Sequence, residues 1–282
     1  MSVTDHSSFP QETDQTVHAF DQAIALSAVS EGLWQGQTSP AYQNMVGPYG
    51  GVTVAQALNT VLQHPKLLGE PVALTVNFAA GLNGAFLASA RPARTNRSTQ
   101  HWVLDFQQDG QTALTATAIT AVRRKTWGTS ELHMPKLAPP QEVPMYQRPA
   151  FKEWLNRYEL RIIDGDLPAT WDDGDLQHSS TRLWMRDAPP RQLDFASLAA
   201  MCDLFFPRIW RRRARSIPLG TISMSVYFHA DSTQLRACGT GYLHGRAQAQ
   251  AFRNGYFDQT AQVWSEAGDL LATSHQIVYY KE

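Results

Sequence analysis

The stretch DFASLAAMCDLFFPRIW, residues 194–210, contains the segment LAAMCDLFF, residues 198–206, in which Asp203 is the one carboxylate among apolar residues. Its apolar spacing predicts a helix that has Asp194 as its N-cap and Pro207 near its end. An aspartate is rarely buried unless it is paired or hydrogen-bonded. Asp203 therefore either faces water or meets groups from elsewhere in the chain that are arranged to receive it.

Strands follow this helix in the sequence. Residues 218–231, PLGTISMSVYFHAD, alternate between apolar and polar side chains as a strand does. Residues 233–245, 247–268 and 269–280 also read as strand-rich, with a turn at Gly268. The second half of the chain is thus predicted to be a helix followed by a meander of long strands.

The first half has the same order of elements. Residues 47–65, GPYGGVTVAQALNTVLQHP, predict a helix that Gly50-Gly51 opens and Pro65 closes. Residues 71–81 predict one strand, and residues 84–124 predict three more with turns at Asn96 and Asp109-Gly110. Similar words, FQQDGQTALTATA and WSEAGDLLATSHQ, recur in the two halves. The shared order indicates a duplication.

A Pro-rich stretch, residues 126–150, separates the halves and is predicted to be a linker. The predicted domains are residues 17–125, the linker 126–150, and residues 151–282, whose first strands come from 151–163 and 180–190. The acidic stretch 164–180 between those strands lacks the ligand spacing of a calcium loop, so we expect a solvated loop and no metal site. The predicted fold class is α+β, with a long helix in each repeat wrapped by a curved antiparallel sheet.

Composition excludes several classes of protein. The 282-residue chain has a formal net charge of -1 and 17% charged residues, which argues against a nucleic-acid partner. Two cysteines allow neither a disulfide framework nor a four-cysteine zinc site. The N-terminus has no signal-peptide pattern, and no apolar run is long enough to cross a bilayer. We therefore expect a cytoplasmic protein with reduced thiols and no membrane partner.

In these segments the chain resembles the double-hotdog acyl-CoA thioesterases of the bacterial thioesterase II type, and the resemblance extends from about Trp34 to Val278. GPYGGVTVAQAL is similar to the family's Gly-Gly helix start. LWMRDAPPRQLDFASLAAMCDLFF, GTISMSVYFHAD and GDLLATSHQIVYY resemble the family's Asp-bearing helix, Thr-bearing strand and Gln-bearing closing strand. The resemblance implies the double-hotdog fold, with a catalytic C-terminal half.

The resemblance also implies a catalytic set of Asp203, Thr221 and Gln276, with no cofactor. Asp203 would activate water as a general base, Thr221 would hold the same water, and Gln276 would position water or donate to the thioester oxygen. Backbone N–H groups at a helix start would serve that oxygen. Taken singly, each residue also has an ordinary interpretation. Asp203 would face solvent, Thr221 would be a common strand residue, and Gln276 would bond to backbone at a sheet edge.

The first half departs from this pattern. Asn96 stands where the family often has Gly, a substitution that Asn tolerates because it adopts left-handed backbone more readily than most residues. Gln56 lies near the position that answers to Asp203, and residues 47–65 contain no carboxylate. We therefore expect the first half to have lost its own site.

Basic residues cluster after the second helix, and Arg211, Arg212 and Arg213 are candidates for the phosphates of CoA, since Arg binds phosphate with bidentate geometry. The alternative is a solvated turn of like charges.

Three functions stay open. Hydrolysis of acyl-CoA ranks first, and non-catalytic binding of an acyl-thioester on the same fold ranks second. A hydratase-type reaction ranks last, because the sequence lacks the helix segment in which such hotdog enzymes pair an Asp with a His. Monomer and homodimer, or a larger homo-oligomer, are both open.

Overall fold

One antiparallel sheet carries both halves of the chain. The computed structural model describes residues 17–147 and 152–282, so the expectations for residues 1–16, for the end of the linker at 148–150 and for residue 151 lie outside the described residues. The strands of the first half are β1 Leu26–Ser30, β2 Leu33–Gln37, β3 Gln43–Asn44, β4 Gly47–Pro48, β5 Glu70–Phe78, β6 Ala85–Thr95, β7 Thr99–Gln108 and β8 Gln111–Ala121. Those of the second half are β9 Tyr158–Asp164, β10 Thr181–Asp187, β11 Leu219–Phe228, β12 Leu243–Gln248, β13 Phe252–Arg253, β14 Tyr256–Ser265 and β15 Leu270–Tyr280.

The sheet runs in the order β1-β2-β6-β7-β8-β5-β11-β15-β14-β12-β10-β9, with β13 paired to β14. Strands β3 and β4 form a separate hairpin. The two halves join where β5 pairs with β11, with Thr75 opposite Ser225. The Thr75 and Ser225 hydroxyls are 2.8 Å apart across this seam. The junction makes one continuous layer of the two repeats.

Five helices lie in the described residues: α1 Ala19–Ala23, α2 Gly50–Leu62, α3 Phe195–Met201, α4 Arg208–Arg213 and α5 Ser232–Cys238. Short 3₁₀ helices occupy Pro40–Tyr42, Pro140–Glu142 and Glu153–Arg157. The main helices of the two repeats, α2 and α3, pack against each other, and one hydrophobic core spans both halves. The α+β class and the two tandem repeats are confirmed.

Local sequence signals account for most of these elements. Asp194 caps α3, since its carboxylate accepts the backbone N–H of Ser197 at 2.8 Å. The β7–β8 turn has positive φ at Asp109 and Gly110, 52° and 74°, as a type I′ hairpin requires. The strands predicted at residues 71–81 and within 84–124 appear as β5 to β8.

The single helix predicted over residues 194–210 is wrong. Helix α3 ends at Met201, and its last turn tightens, with the N–H of Asp203 bonding to the carbonyl of Ala200 at 3.1 Å. Pro207 disfavours helical backbone at Phe206 and instead begins α4 as its N-cap. Asp203 therefore lies in the bend between two helices and not on a helix face.

The strand expected over residues 233–245 is also partly wrong, because Ser232–Cys238 forms α5. Asp231 and Gln234 make a capping box there, each side chain accepting the backbone N–H of the other residue. These hydrogen bonds stabilise the first turn of a helix, whereas the alternation that favours a strand in this segment is weak. Strand β12 begins only at Leu243.

The linker lies on the second half of the sheet. The indole of Trp184 donates to the carbonyl of Ala138 at 3.0 Å, and Arg161 donates to the carbonyl of Val143 at 2.6 Å. Trp184, Tyr242 and Val143 form a small apolar cluster with Met134 and Leu137 packed on it. Within residues 17–147 and 152–282, no helix has the length and apolar character that a membrane crossing needs.

Candidate active site

A cavity of about 440 Å³ lies between the two halves, close to the end of α3. That volume falls in the range typical of small-molecule sites. The first half contributes the β3–β4 hairpin, the start of α2 and residues 78–82 to its wall. The second half contributes Asp203, Phe205, Phe206, Trp210, Thr221, Gln259, Gln276 and other side chains of β11, β14 and β15. The wall is mostly apolar and aromatic, with a few polar groups.

Asp203 and Gln276 meet in this cavity. The amide Nε2 of Gln276 donates to Oδ1 of Asp203 at 2.8 Å. The backbone N–H of Gly51 also donates to the Asp203 carboxylate. Asp203 is therefore neither solvent-facing nor unpaired: it is partly buried and held by donors from both halves of the chain.

Thr221 completes a short chain of hydrogen bonds. Its hydroxyl donates to Oε1 of Gln276 at 3.3 Å, while the other end of that amide holds Asp203. All three side chains line the cavity. The structure thus brings together the three residues that the resemblance singled out, in the order Thr221, Gln276, Asp203.

Burial sets the protonation of the carboxyl group. Loss of water around Asp203 raises its pKa to about 7, although the hydrogen bonds from Gln276 and Gly51 act in the opposite direction. A carboxylate with a pKa near neutrality can take a proton from water and later return it.

The start of α2 was missed as a source of the site. A Cβ added at Gly50 would lie 2.8 Å from Oδ2 of Asp203, so the carboxylate occupies space that any other residue would fill. The N-terminal end of a helix also favours a negative charge. The Gly50-Gly51 pair was visible in the sequence as a helix start, but its contact with a residue about 150 positions away was not.

Tyr49 ties this helix start to the second half. Its hydroxyl donates to the carbonyl of Ala200 at 2.6 Å, and its ring stacks on Trp154 with centroids 4.3 Å apart. Burial raises the pKa of the Tyr49 phenol well above its usual value, so the phenol stays neutral. The clamp holds the start of α2 beside the bend that carries Asp203.

The arginine cluster lies elsewhere. Arg212 forms an ion pair with Asp175, and Arg213 pairs with Asp173 at 2.5 Å and Glu282 at 3.4 Å. Neither these two nor Arg211 is among the described residues that line the cavity. The acidic loop expected to be solvated thus neutralises part of the cluster, and the role of these arginines toward CoA stays a prediction.

The equivalent position of the first half can be read from the strand register. Thr75 and Ser225 face each other at the seam, so Thr221 corresponds to Pro71, and a register shift follows both residues. Gln276 pairs with Met224 as Ala118 pairs with Leu74, and Ala118 is therefore the counterpart of Gln276. Neither counterpart carries a hydrogen-bonding side chain.

Gln56, the residue nearest the counterpart of Asp203, has a structural role. Its Nε2 donates to the carbonyls of Ala23 at 2.8 Å and Gln37 at 3.1 Å. The first half therefore shows no second copy of the Thr–Gln–Asp chain.

Across the described ranges 17–147 and 152–282, no three His, Cys, Asp or Glu side chains gather as a metal site would require.

Two family models match parts of this chain. Residues 134–280 match the family described as "Acyl-CoA thioesterase C-terminal domain", and residues 39–121 match "Acyl-CoA thioesterase N-terminal domain". No curated protein matched the chain.

Solved structures share the fold. A conserved protein of unknown function with a hot dog fold from Alicyclobacillus acidocaldarius is 46% identical, with a TM-score of 0.90 over 95% of this chain and 99% of that one. An acyl-CoA thioesterase II, TesB2, from Mycobacterium marinum is 16% identical, with a TM-score of 0.73 over 93% and 98%. The tesB protein of Mycobacterium avium subs paratuberculosis is 18% identical, with a TM-score of 0.72 over 93% and 98%.

Proposed function

Because the chain belongs to the acyl-CoA thioesterase family, as its match over residues 134–280 shows, we propose that it hydrolyses an acyl-CoA thioester to a carboxylic acid and CoA. The observation that carries the proposal is the Thr221–Gln276–Asp203 chain of hydrogen bonds in the wall of the cavity. An ordinary strand Thr, strand Gln and surface Asp would have no reason to converge there.

The proposed reaction uses water as the nucleophile. Gln276 has a second N–H and Thr221 has hydroxyl lone pairs, so both can bind a water molecule beside Asp203. Asp203 accepts a proton from that water while the water oxygen forms a bond to the thioester carbonyl carbon. The C–S bond then breaks, and the proton passes from Asp203 to the CoA sulfur.

The developing oxyanion needs hydrogen-bond donors or positive potential. The N-terminal end of α2 lies against Asp203 and supplies positive potential at this end of the cavity. In the resting protein the N–H of Gly51 already serves the carboxylate. The helix start therefore supports the charged form of Asp203 as well as the charge that the reaction creates.

Asp203→Asn tests the proposal. We expect kcat/KM for thiol release from acyl-CoAs of several chain lengths to fall by about 10²–10⁴, the range for loss of a general base. Asp109→Asn, at an exposed turn of the first half, is the matched control and should keep full activity.

Activity that survives Asp203→Asn would rule out the assigned role. If the wild type releases no thiol from any chain length while acyl-CoA raises its Tm, the protein is a binder and not an enzyme.

The pH profile gives a second test of the same proposal. The base form of Asp203 is needed, and its pKa is raised to about 7, so kcat/KM should rise through pH 7 and level off above it. A profile that is flat between pH 5 and 8 would show that another group limits the reaction.

The arginine cluster remains a proposed binding site for the CoA phosphates. For phosphate to bind, Arg212 and Arg213 must exchange their pairs with Asp175 and Asp173 for the ligand. The double variant Arg212→Ala, Arg213→Ala should then raise KM for acyl-CoA but not for a short acyl thioester that lacks the nucleotide. Equal effects on the two substrates would exclude this role.

A further inference from the structure

A second glutamine, Gln259 on β14, lies beside Gln276 in the cavity. The two residues are directly opposite each other in the β14–β15 pairing, and both line the cavity wall. Side chains that are opposite each other in antiparallel strands have Cβ atoms about 5 Å apart. Gln259 therefore lies within reach of a substrate whose thioester is held beside Gln276.

The side-chain amide of Gln259 makes no hydrogen bond to any group in residues 17–147 and 152–282, although the residue is only 4% exposed. Gln276 differs, since it bonds to both Asp203 and Thr221. Buried polar groups are nearly always hydrogen-bonded, and one that faces a cavity is a candidate for contact with a ligand. Its partner is expected to enter with the substrate.

The fold does not require an amide at this position. In the first half, Trp102 pairs with Ala118 as Gln259 pairs with Gln276, so Trp102 is the counterpart of Gln259. Trp102 is 1% exposed and fills its position with an apolar ring. An aromatic side chain thus satisfies the same place in the same architecture.

From these observations we infer that Gln259 is a substrate-binding residue that donates a hydrogen bond to an oxygen atom of the acyl thioester. This inference rests on the proposed function. The oxygen is either the thioester carbonyl or a substituent on the acyl chain near it. Both offer an acceptor for the side-chain amide of Gln259, which has none among the described residues. The same cavity is also lined by apolar side chains, among them Phe205, Phe257 and Val278.

Gln259→Leu is the variant to measure, against a straight-chain acyl-CoA and its 3-hydroxy counterpart at the chain length that the wild type hydrolyses fastest. Gln262→Leu is the matched control, because Gln262 is on the same strand and outside the cavity wall. We expect kcat/KM of Gln259→Leu to fall by about tenfold to a hundredfold, as for the loss of one hydrogen bond in a buried site. The control should match the wild type.

The substrate pair identifies the oxygen. Equal losses on both substrates assign the bond to the thioester carbonyl. A loss confined to the 3-hydroxy substrate assigns it to the acyl substituent. Unchanged kcat/KM on both substrates, in a variant whose Tm equals that of the wild type, would overturn the inference.

Two further measurements keep the inference independent of folding and of hydrolysis. Gln259→Glu has nearly the same shape but lacks the N–H donor, so it should lose activity even if the leucine variant does not fold. Calorimetric binding of the same two acyl-CoAs to Asp203→Asn, with and without Gln259→Leu, separates the two proposals. A wild type that binds acyl-CoA without hydrolysing it would contradict the proposed function, whereas weaker binding through Gln259→Leu would still support the inference.

Discussion

The two halves of this chain have the same order of strands around the β5–β11 seam, yet they differ at three equivalent positions. The second half has Thr221, Gln276 and Gln259 where the first has Pro71, Ala118 and Trp102. In one half these positions line a cavity with polar groups, and in the other they hold buried apolar groups. The difference shows that the fold tolerates either a site or a packed core at the same place.

The halves are nevertheless not independent. The first half supplies Gly50 and Gly51, whose helix start receives the Asp203 carboxylate of the second half. Tyr49 fastens that start to the carbonyl of Ala200. The first half has no equivalent polar chain of its own, but it forms part of the wall of the other site. Substitutions in either half should therefore separate stability from activity.

The largest expected effect is on stability, from Trp102→Ala in the first half. Trp102 is 1% exposed, and its indole donates to the hydroxyl of Thr120 at 3.1 Å. Removing a buried Trp typically costs about 3–5 kcal/mol. Urea unfolding should show this loss in the free energy of unfolding, while the folded variant keeps its kcat.

Trp127→Ala is the control for that measurement, because Trp127 is 85% exposed and should change the free energy of unfolding by less than about 0.5 kcal/mol. If Trp102→Ala lowered kcat as strongly as it lowered stability, the proposed separation between a packing half and a catalytic half would be wrong.

The next effect is on activity and comes from Gln276→Ala, which gives the second half the residue that the first half has. Asp203 loses the 2.8 Å bond from Nε2 and Thr221 loses its acceptor. We expect kcat to fall about a hundredfold, equivalent to roughly 2.7 kcal/mol of transition-state stabilisation. Steady-state kinetics with Gln262→Ala as the control will measure it, and a variant with wild-type kcat would remove Gln276 from the mechanism.

The strands and their turns could be predicted from the sequence because alternation and turn residues are local signals. The α2 segment was likewise visible from its apolar spacing and the Gly50-Gly51 start. Residues 232–238 also carry a local signal, the Asp231–Gln234 capping box, which outweighs the weak alternation that favours a strand there. Local patterns thus predicted α2 and β5 to β8 and much of the second half, but not the elements before Gly47, the helix α5, or the early end of α3 and the separate helix α4.

The site depended on contacts that no local pattern contains. The resemblance identified Asp203, Thr221 and Gln276, and the structure places them together. It did not identify the N–H of Gly51 or the side-chain amide of Gln259, because the first comes from the other half and the place of the second beside Gln276 depends on strand register. Likewise, pairing of the arginines with the acidic loop required the three-dimensional neighbours of α4.

A smaller effect is expected from Gly50→Ala, which changes the contribution of the first half to the site. The new Cβ would lie 2.8 Å from Oδ2 of Asp203, so the carboxylate must move. A displaced general base should lower kcat by about tenfold, since catalytic groups depend on accurate placement. Because Ala forms helices better than Gly, the Tm should not fall.

Gly128→Ala is the control for this variant, as a Cβ there meets nothing within 4 Å. Wild-type kcat in Gly50→Ala would mean that Asp203 can shift without loss, and the helix start of the first half would then have no demonstrated part in catalysis.

Stability should also depend on pH through Asp203. Its pKa is about 7 in the folded protein and 3.8 in an ordinary Asp, so between these values the folded state binds a proton that the unfolded state does not. Wild-type stability should therefore fall as the pH rises from about 4 to about 7 and then level off. Asp203→Asn removes this contribution, so its Tm should equal that of the wild type near pH 4 and exceed it at pH 8, with the difference growing between these values. Asp187, whose pKa burial raises to about 6, is present in both proteins and cancels in the difference. Thermal unfolding of Asp203→Asn and of the wild type, paired at each pH, measures this Tm difference. A difference that stays constant or shrinks with rising pH would show that Asp203 is ionised in the folded protein throughout.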